Sequence, residues 1–173
     1  LEDPDQGSVV QMGTPIIFTK TAVSPQGPRA AHISEAPHAK RTTNSVITSE
    51  TVDPPPLQGF RILEITNLIA GPTCGRLLAD LGADVIKLEP PGGDISRPIG
   101  RTYFYNVNFN KRSICFDASK PGAKAAIQKI AATCDAVLAN LRPGATERMG
   151  LGPSVNPKLI EMHITGYGWT GPY

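Results

Sequence analysis

The sequence predicts an α/β fold: part of a doubly wound, Rossmann-like parallel sheet, preceded by a mostly irregular N-terminal segment. After residue 60, apolar runs of strand length alternate with helical runs, which favours parallel strands joined by helices. The first such unit, residues 61–89, contains a strand, a glycine turn, a helix and a second strand. Residues 1–56 are instead rich in Pro, Ser, Thr and Ala, with one short β-like run at Thr14–Lys20.

Within residues 61–89, RILEIT predicts a strand, RLLADLG a helix and ADVIKLE the parallel strand that follows. The turn NLIAGPTCG separates the first strand from the helix. Gly71 can adopt backbone angles that are closed to other residues, and Pro72 suits the first position of a helix. Because doubly wound sheets bind ligands at the carboxyl ends of their strands, residues 67–73 are the expected ligand contact.

The alternation continues through the rest of the chain. Further strands are predicted at Ser113–Asp117, Asp135–Leu141 and Leu159–Thr165. A helix is predicted to open at Lys120-Pro121-Gly122 and to end at Ala131. Its predicted apolar face consists of Ala123, Ala126, Ile127 and Ile130.

Composition limits the function classes. The formal net charge of +2 is too small to indicate nucleic acid binding, and no apolar run approaches the roughly 20 residues of a membrane-spanning helix. Neither a nucleic acid nor a membrane is therefore expected as a partner. Cys74, Cys115 and Cys134 are odd in number and lack metal-ligand spacing, so we expect buried free thiols in a reducing compartment and no metal site.

The charged residues near the predicted strand ends have ordinary roles on residue type alone. A solvated surface charge is favoured for four cations: Arg97, Lys111, Arg112 and Arg148. Structural hydrogen bonding is favoured for four carboxylates: Glu64, Glu89, Asp94 and Asp117. His163 is expected to be a core histidine, because no carboxylate partner is identifiable in the sequence.

The segment PLQGFRILEITNLIAGPTCGRLLADLGADVIKLEPPGGDISR resembles the amino-terminal signature of the family III CoA-transferases. That family includes formyl-CoA and carnitine CoA-transferases, with α-methylacyl-CoA racemase as a close relative. The resemblance continues through NVNFNKRSICFD, CDAVLANLRPGATERMGLG and NPKLIEMHITGYGWTGPY, and it covers Pro56–Tyr173. It implies that residues 57–173 are the N-terminal part of a CoA-binding Rossmann-like domain.

The resemblance also implies a set of CoA contacts. The matching positions are Leu68, Ile69, Asn140, Leu141 and Arg148, the first two beside the adenosine part of CoA. Pro90 stands where the formyl-CoA enzyme has a phosphate-binding arginine, and Ser119 stands where it has a lysine. The phosphate contacts of this protein are therefore expected to differ from those of that enzyme.

For the intact protein, the resemblance implies movement of CoA between an acyl-CoA thioester and a carboxylic acid through an aspartyl-CoA intermediate. The family's catalytic aspartate would lie beyond Tyr173, so this chain is expected to hold no catalytic residue and to be inactive alone. Coenzyme A and acyl-CoA are expected as substrates, with no permanently bound cofactor. The full-length protein is expected to form an interlocked homodimer.

Several alternatives remain open. An α-methylacyl-CoA racemase-like isomerase and a non-catalytic interaction module are the rival functions, and the acyl donor and acceptor are undetermined. A nicotinamide-binding domain is less favoured, because the first turn lacks G-x-G-x-x-G. Cytoplasm and mitochondrial matrix both fit as the compartment.

The domain organisation predicted from the resemblance has three parts. Residues 1–39 resemble the C-terminal end of a preceding family III unit, residues 40–56 are a linker, and residues 57–173 begin a second unit. The chain is therefore expected to be a fragment that spans a junction between two units. A misjoined gene model would produce the same sequence.

Overall fold

The computed structural model describes residues 54–168 and, before them, three strands of two residues each. These strands are β1 (Glu2–Asp3), β2 (Gly7–Ser8) and β3 (His32–Ile33), and β1 pairs antiparallel with β2. The run Thr14–Lys20 lies outside the described residues. The predicted division at residues 39 and 56 therefore stays a prediction.

The described part of the chain is a parallel sheet with interleaved helices. The strands are β4 (Arg61–Ile65), β5 (Asp84–Glu89), β6 (Arg112–Cys115), β7 (Ala136–Ala139) and β8 (Ile160–His163). The helices are α1 (Ala70–Asp80), α2 (Arg101–Asn108), α3 (Ala123–Ala131) and α4 (Ala145–Arg148). The strand order is β3-β6-β5-β4-β7-β8, and all neighbouring strands in it are parallel. The predicted α/β class and parallel sheet are confirmed.

The central strand β4 is buried on both faces, which explains its nearly continuous apolar sequence. Successive side chains point to opposite faces, so Ile62 packs in a cluster with Ala79 of α1. Leu63 and Ile65 pack in another cluster with Ile127 of α3. Two apolar layers therefore hold helices against both faces of the sheet.

The strand order contains a reversal next to β4. From β4 the chain builds outward through β5 to β6, then returns to place β7 and β8 on the other side of β4. The carboxyl ends of β4 and β7 consequently flank a topological switch point. Doubly wound sheets bind ligands in the crevice at such a point.

The first helix begins earlier than the sequence predicted. Helix α1 starts at Ala70, and the Thr73 N–H donates to the Ile69 carbonyl over 2.8 Å, so most of the predicted turn is helical. Pro72 fits the first turn because its missing N–H would have no partner there. Gly71 fits because it is small: a Cβ at this position would lie 2.4 Å from the Cβ of Thr66. The predicted ligand contact at residues 67–73 therefore consists of a three-residue turn followed by the first turn of α1, and it stays a prediction.

The helices of the structure also differ in smaller ways from the predicted ones. The sequence did not predict α2 or α4, which are short, and α2 buries few side chains, chiefly Phe104. On α3, Ala126 is exposed and not on the buried face, whereas Ala131 is buried against the sheet.

Within residues 54–168, no helix is long and apolar enough to cross a membrane. The same residues contain no group of three or more His, Cys, Asp or Glu side chains that could hold a metal ion.

Candidate functional site

A cavity of about 320 Å³ lies at the carboxyl ends of β4 and β5. Ile65, Leu88, Ile95 and Leu141 give it apolar walls, and Thr66 and Asn67 add polar groups at the end of β4. Leu141 follows β7, so the cavity reaches across the switch point. An apolar cleft with a few polar groups at this place in a doubly wound sheet is typical of a small-molecule site.

The turn from β4 to α1 forms one edge of this cavity. Leu68 has a φ of +61°, and its side chain is 40% exposed. Ile69 is 55% exposed, so two neighbouring apolar side chains face outward from the turn. Below them, Asn140 holds the Asn67 backbone: its Oδ1 accepts the Asn67 N–H at 3.0 Å and its Nδ2 donates to the Asn67 carbonyl at 2.9 Å.

A group of buried charges supports the turn from inside the sheet. Lys87 is fully buried on β5, and its Nζ lies 3.1 Å from Glu64 Oε1 and 2.8 Å from Asp94 Oδ2. The same Nζ donates to the Thr66 carbonyl at 2.8 Å. Asp94 Oδ1 in turn accepts the Leu68 N–H at 3.4 Å. Buried charges are tolerated when they are paired and hydrogen-bonded, as these are.

Lys111 joins this group from the segment before β6. Its Nζ lies 2.8 Å from Glu64 Oε2 and donates to the Pro72 carbonyl at 2.7 Å, which ties the first turn of α1 to the sheet. Burial lowers the pKa of Lys111 to about 8, against the opposing effect of the Glu64 charge. Lys111, Lys87, Glu64 and Asp94 together carry two positive and two negative charges, so the group is neutral when all four are ionised.

Glu89 forms a second ion pair beside the cavity. Arg97 donates to both Glu89 oxygens at 2.6 Å and lies over the Phe104 ring at 3.9 Å. Burial by itself would raise the pKa of Glu89, but hydrogen bonds from Arg97, Ser113 and the Asp94 N–H hold the pKa below its usual value. For Asp94, likewise, the Lys87 charge and hydrogen bonds outweigh burial and lower the pKa. Both carboxylates are therefore committed to structural contacts.

The five residues matched to CoA contacts lie in different positions relative to the cavity. Leu141 lines the cavity, Leu68 and Ile69 lie exposed on the adjoining turn, and Asn140 anchors that turn. Arg148 is the exposed last residue of α4 and is not among the residues that line the cavity.

The structural roles predicted for the carboxylates Glu64, Glu89, Asp94 and Asp117 are confirmed by their hydrogen bonds. The prediction that Lys111 is a solvated surface charge was wrong, because the residue is only 3% exposed. Arg97 and Arg112 are half-buried in ion pairs and are not freely solvated.

His163 is also half-buried, and it has a carboxylate partner that the sequence analysis missed. Its Nε2 lies 3.4 Å from Glu161 Oε2, two residues earlier on the same strand.

The three cysteines are all free thiols. Cys134 is buried, whereas Cys74 and Cys115 are half-buried. Cys74 lies on α1 and not in a turn.

Lys87 was the site residue that sequence reasoning overlooked. A lysine in the middle of the apolar run ADVIKLE was the available signal, because a charge in a strand buried on both faces must find a partner inside the fold. The sequence did not identify that partner, since Asp94 and Glu64 come from different segments.

Comparison with known proteins yields a match to one family model, CoA-transferase family III, over residues 57–173. The chain is 45% identical over 131 residues to "Probable fatty acyl-CoA transferase Rv3272" of Mycobacterium tuberculosis, covering 68% of this chain and 33% of that protein. A crystal structure of Rv3272 matches with a TM-score of 0.64 over 68% of this chain and 35% of that one. The chain is also 43% identical to succinyl-CoA–D-citramalate CoA-transferase of Chloroflexus aurantiacus, covering 69% of this chain and 33% of that protein. The chain spans about a third of the length of the curated relatives it matches.

Proposed function

The chain belongs to CoA-transferase family III, and from this membership we propose that the intact protein transfers CoA from an acyl-CoA thioester to a carboxylic acid. Relatives named as succinyl-CoA–D-citramalate, formyl-CoA:oxalate and succinyl-CoA:glutarate CoA-transferases support this reaction class. In this proposal, residues 57–168 supply part of the CoA site, and coenzyme A is a substrate and not a permanently bound cofactor.

The observation that carries the proposal is the cavity at the switch point of the sheet. Its volume of about 320 Å³ is at the small end of ligand sites, so it suits a nucleoside-sized part of CoA and not the whole molecule. Its apolar walls, Leu88, Ile95 and Leu141, suit a flat apolar ring such as adenine. Leu68 and Ile69 extend this apolar surface outward along the turn.

The phosphates of CoA require cations, and the described residues restrict the choice. Pro90 lines the cavity without a charge, and Arg97 is bound to Glu89. Lys87 and Lys111 are buried in ion pairs below the turn. Arg142 and Arg148 are both exposed after β7, and we assign the phosphate contact to Arg148 because it matches a CoA-contacting position of the family.

The proposed chemistry uses an aspartate from outside this chain. Its carboxylate attacks the acyl-CoA carbonyl, which forms a mixed anhydride and releases the CoA thiolate. The thiolate attacks the aspartyl carbonyl, giving an aspartyl-CoA thioester and the free acyl carboxylate. The acceptor carboxylate then attacks this thioester, which forms a new anhydride and releases the CoA thiolate. The thiolate attacks the acyl carbonyl of that anhydride, which forms the new acyl-CoA and regenerates the aspartate. The described carboxylates beside the cavity, Glu89 and Asp94, are held in ion pairs, which argues against either as the nucleophile.

Two further parts of the proposal concern the oligomeric state of the intact protein and the activity of the present chain. The intact protein is proposed to be an interlocked homodimer, and the present chain alone is proposed to be inactive because the nucleophile lies elsewhere. Chromatography with light scattering on the intact protein tests the first statement. Incubation of the isolated chain with acyl-CoA and a carboxylic acid tests the second.

The main test compares Arg148→Ala with wild type in the intact protein, by calorimetric titration with CoA. Loss of a charge-assisted phosphate contact is expected to weaken binding by about 1.5–3 kcal/mol at low salt. Lys158→Ala is the matched control and should bind CoA as wild type does, because Lys158 is an exposed cation before β8, at the amino ends of the parallel strands. Equal CoA affinity for Arg148→Ala and wild type would contradict the phosphate role.

Activity is tested by incubating the intact protein with acyl-CoA donors and carboxylic acids and following the new acyl-CoA by chromatography. Mass spectrometry of the quenched enzyme should show an aspartyl-CoA adduct. Deuterium incorporation at the α-carbon of a branched acyl-CoA, without transfer, would instead indicate a racemase.

A further inference from the structure

The turn between β4 and α1 has an unusual backbone conformation. Leu68 has a φ of +61°, a left-handed angle that is uncommon for a bulky residue. Such a conformation costs free energy and persists when surrounding contacts determine it. Here it leaves Leu68 and Ile69 exposed beside the cavity.

Two buried charges bond to the backbone of this turn. Lys87 Nζ donates to the Thr66 carbonyl at 2.8 Å, and Asp94 Oδ1 accepts the Leu68 N–H at 3.4 Å. Lys87 and Asp94 also pair with each other at 2.8 Å, and both side chains are almost completely buried. If either side chain moved away from the turn, an unpaired charge would be left in the interior.

Asn140 bonds to the same turn from the other side of the switch point. The paired register of β4 and β7 ends with Ile65 opposite Ala139, and the Asn140 amide continues the pairing onto the Asn67 N–H and carbonyl. Its carbonyl oxygen and its amide nitrogen are therefore both bonded to one backbone unit. This geometry directs the side chain toward the turn and not toward a ligand.

We infer that Asn140 is a positioning residue, which acts with Lys87 and Asp94 to hold the turn at Asn67–Ile69 in its CoA-binding shape before CoA arrives. The inference rests on the proposed CoA site. A turn that is already ordered spares the binding reaction the entropy cost of ordering it, so affinity depends on the residues that hold it. Asn140 thus contributes to CoA affinity through Asn67.

Asn140→Asp is the sharpest variant, because Asp has nearly the same shape as Asn. The aspartate still accepts the Asn67 N–H, but a carboxylate oxygen replaces the donor that faces the Asn67 carbonyl. In the intact protein at pH 8, we expect the dissociation constant for CoA to rise roughly tenfold relative to wild type. The ratio of the two constants should decrease as the pH falls toward about 4, because protonation of the carboxyl, whose ordinary pKa is about 3.9, restores a donor.

Asn156 offers a matched control. Its Oδ1 accepts the Lys158 N–H at 2.9 Å and its Nδ2 donates to the Cys134 carbonyl at 3.1 Å, so it makes the same two kinds of bond at the amino ends of β7 and β8. Asn156→Asp should bind CoA with the wild-type constant at both pH values. A purely structural effect of the Asn-to-Asp change would affect both variants alike.

Each result decides between the two proposals. Wild type without measurable CoA affinity would overturn the proposed function, and with it this inference. CoA binding by wild type, with an unchanged constant for Asn140→Asp across the pH range, would overturn the positioning role alone.

A second measurement on wild type needs no folded variant. Without CoA, the Asn67 amide should already be protected from hydrogen exchange, because its bond to Asn140 exists beforehand. An Asn67 amide that exchanges at the rate of an unstructured peptide in the absence of CoA would overturn the inference.

Discussion

The replacement Gly75→Ala provides a test in which helix propensity and packing predict opposite results. Gly75 lies inside α1, where alanine is normally more favourable than glycine by about 1 kcal/mol. At this position, however, an added Cβ would lie 1.9 Å from Glu64 Oε2 and 2.8 Å from Glu64 Cδ. It would also lie 3.2 Å from Lys111 Nζ, so the methyl group would enter the buried ion pair.

The expected loss in the free energy of unfolding follows from the contacts that the added methyl group would displace. Glu64 is fully buried and pairs with both Lys87 and Lys111, so its carboxylate has no solvent to move into. Overpacking of a core costs about 1–3 kcal/mol, and separation of a buried ion pair costs about 3–5 kcal/mol when it is complete. A partial displacement of Glu64, less the propensity gain, leaves a net loss of about 2–4 kcal/mol in the free energy of unfolding.

The assay is the apparent thermal midpoint of the intact protein, followed by circular dichroism at one heating rate. A loss of this size corresponds to a decrease of roughly 10 °C for a domain of 100 to 200 residues. Gly92→Ala is the control, because no heavy atom lies within 4 Å of a Cβ added there and its midpoint should stay unchanged. If Gly75→Ala melts at or above the wild-type temperature, α1 does not pack against Glu64 as described.

Two further predictions concern ionisation. Hydrogen bonds and the Arg97 charge hold the pKa of Glu89 below its usual 4.5, so the stability it contributes is present above pH 4.5 and is lost as the pH falls through the lower native pKa. Glu89→Gln should therefore show a weaker pH dependence of the thermal midpoint below pH 4.5 than wild type, and an unchanged slope would contradict the pairing. Burial raises the pKa of Cys134 to about 11, so iodoacetamide at pH 8 should modify Cys134 more slowly than Cys115 in the native protein and equally fast in urea. Peptide mass spectrometry measures both rates, and equal native rates would argue against the burial of Cys134.

Much of the candidate site was accessible from local patterns. The strand-turn-helix-strand order of residues 61–89 located the turn, and the rule for ligands at strand carboxyl ends selected residues 67–73. Leu68 and Ile69 were selected within it by the family resemblance. The helix start was misplaced, because Gly and Pro signal a turn in sequence but fit equally well in the first turn of α1. In the structure, the helical hydrogen bond from the Thr73 N–H to the Ile69 carbonyl distinguishes the two.

What the sequence by itself determined is the α/β class and the near-continuous burial of the central strands, because both depend on the period and length of apolar runs. What only the tertiary structure decided is which charges meet. Lys87, Asp94 and Asn140 lie in three separate segments, and the strand order brings them to one turn. A charge in a sequence looks the same whether it faces water or a buried partner, since its role depends on residues brought near it by folding. The support of the Asn67–Ile69 turn is therefore a property of the assembled sheet and not of any one segment.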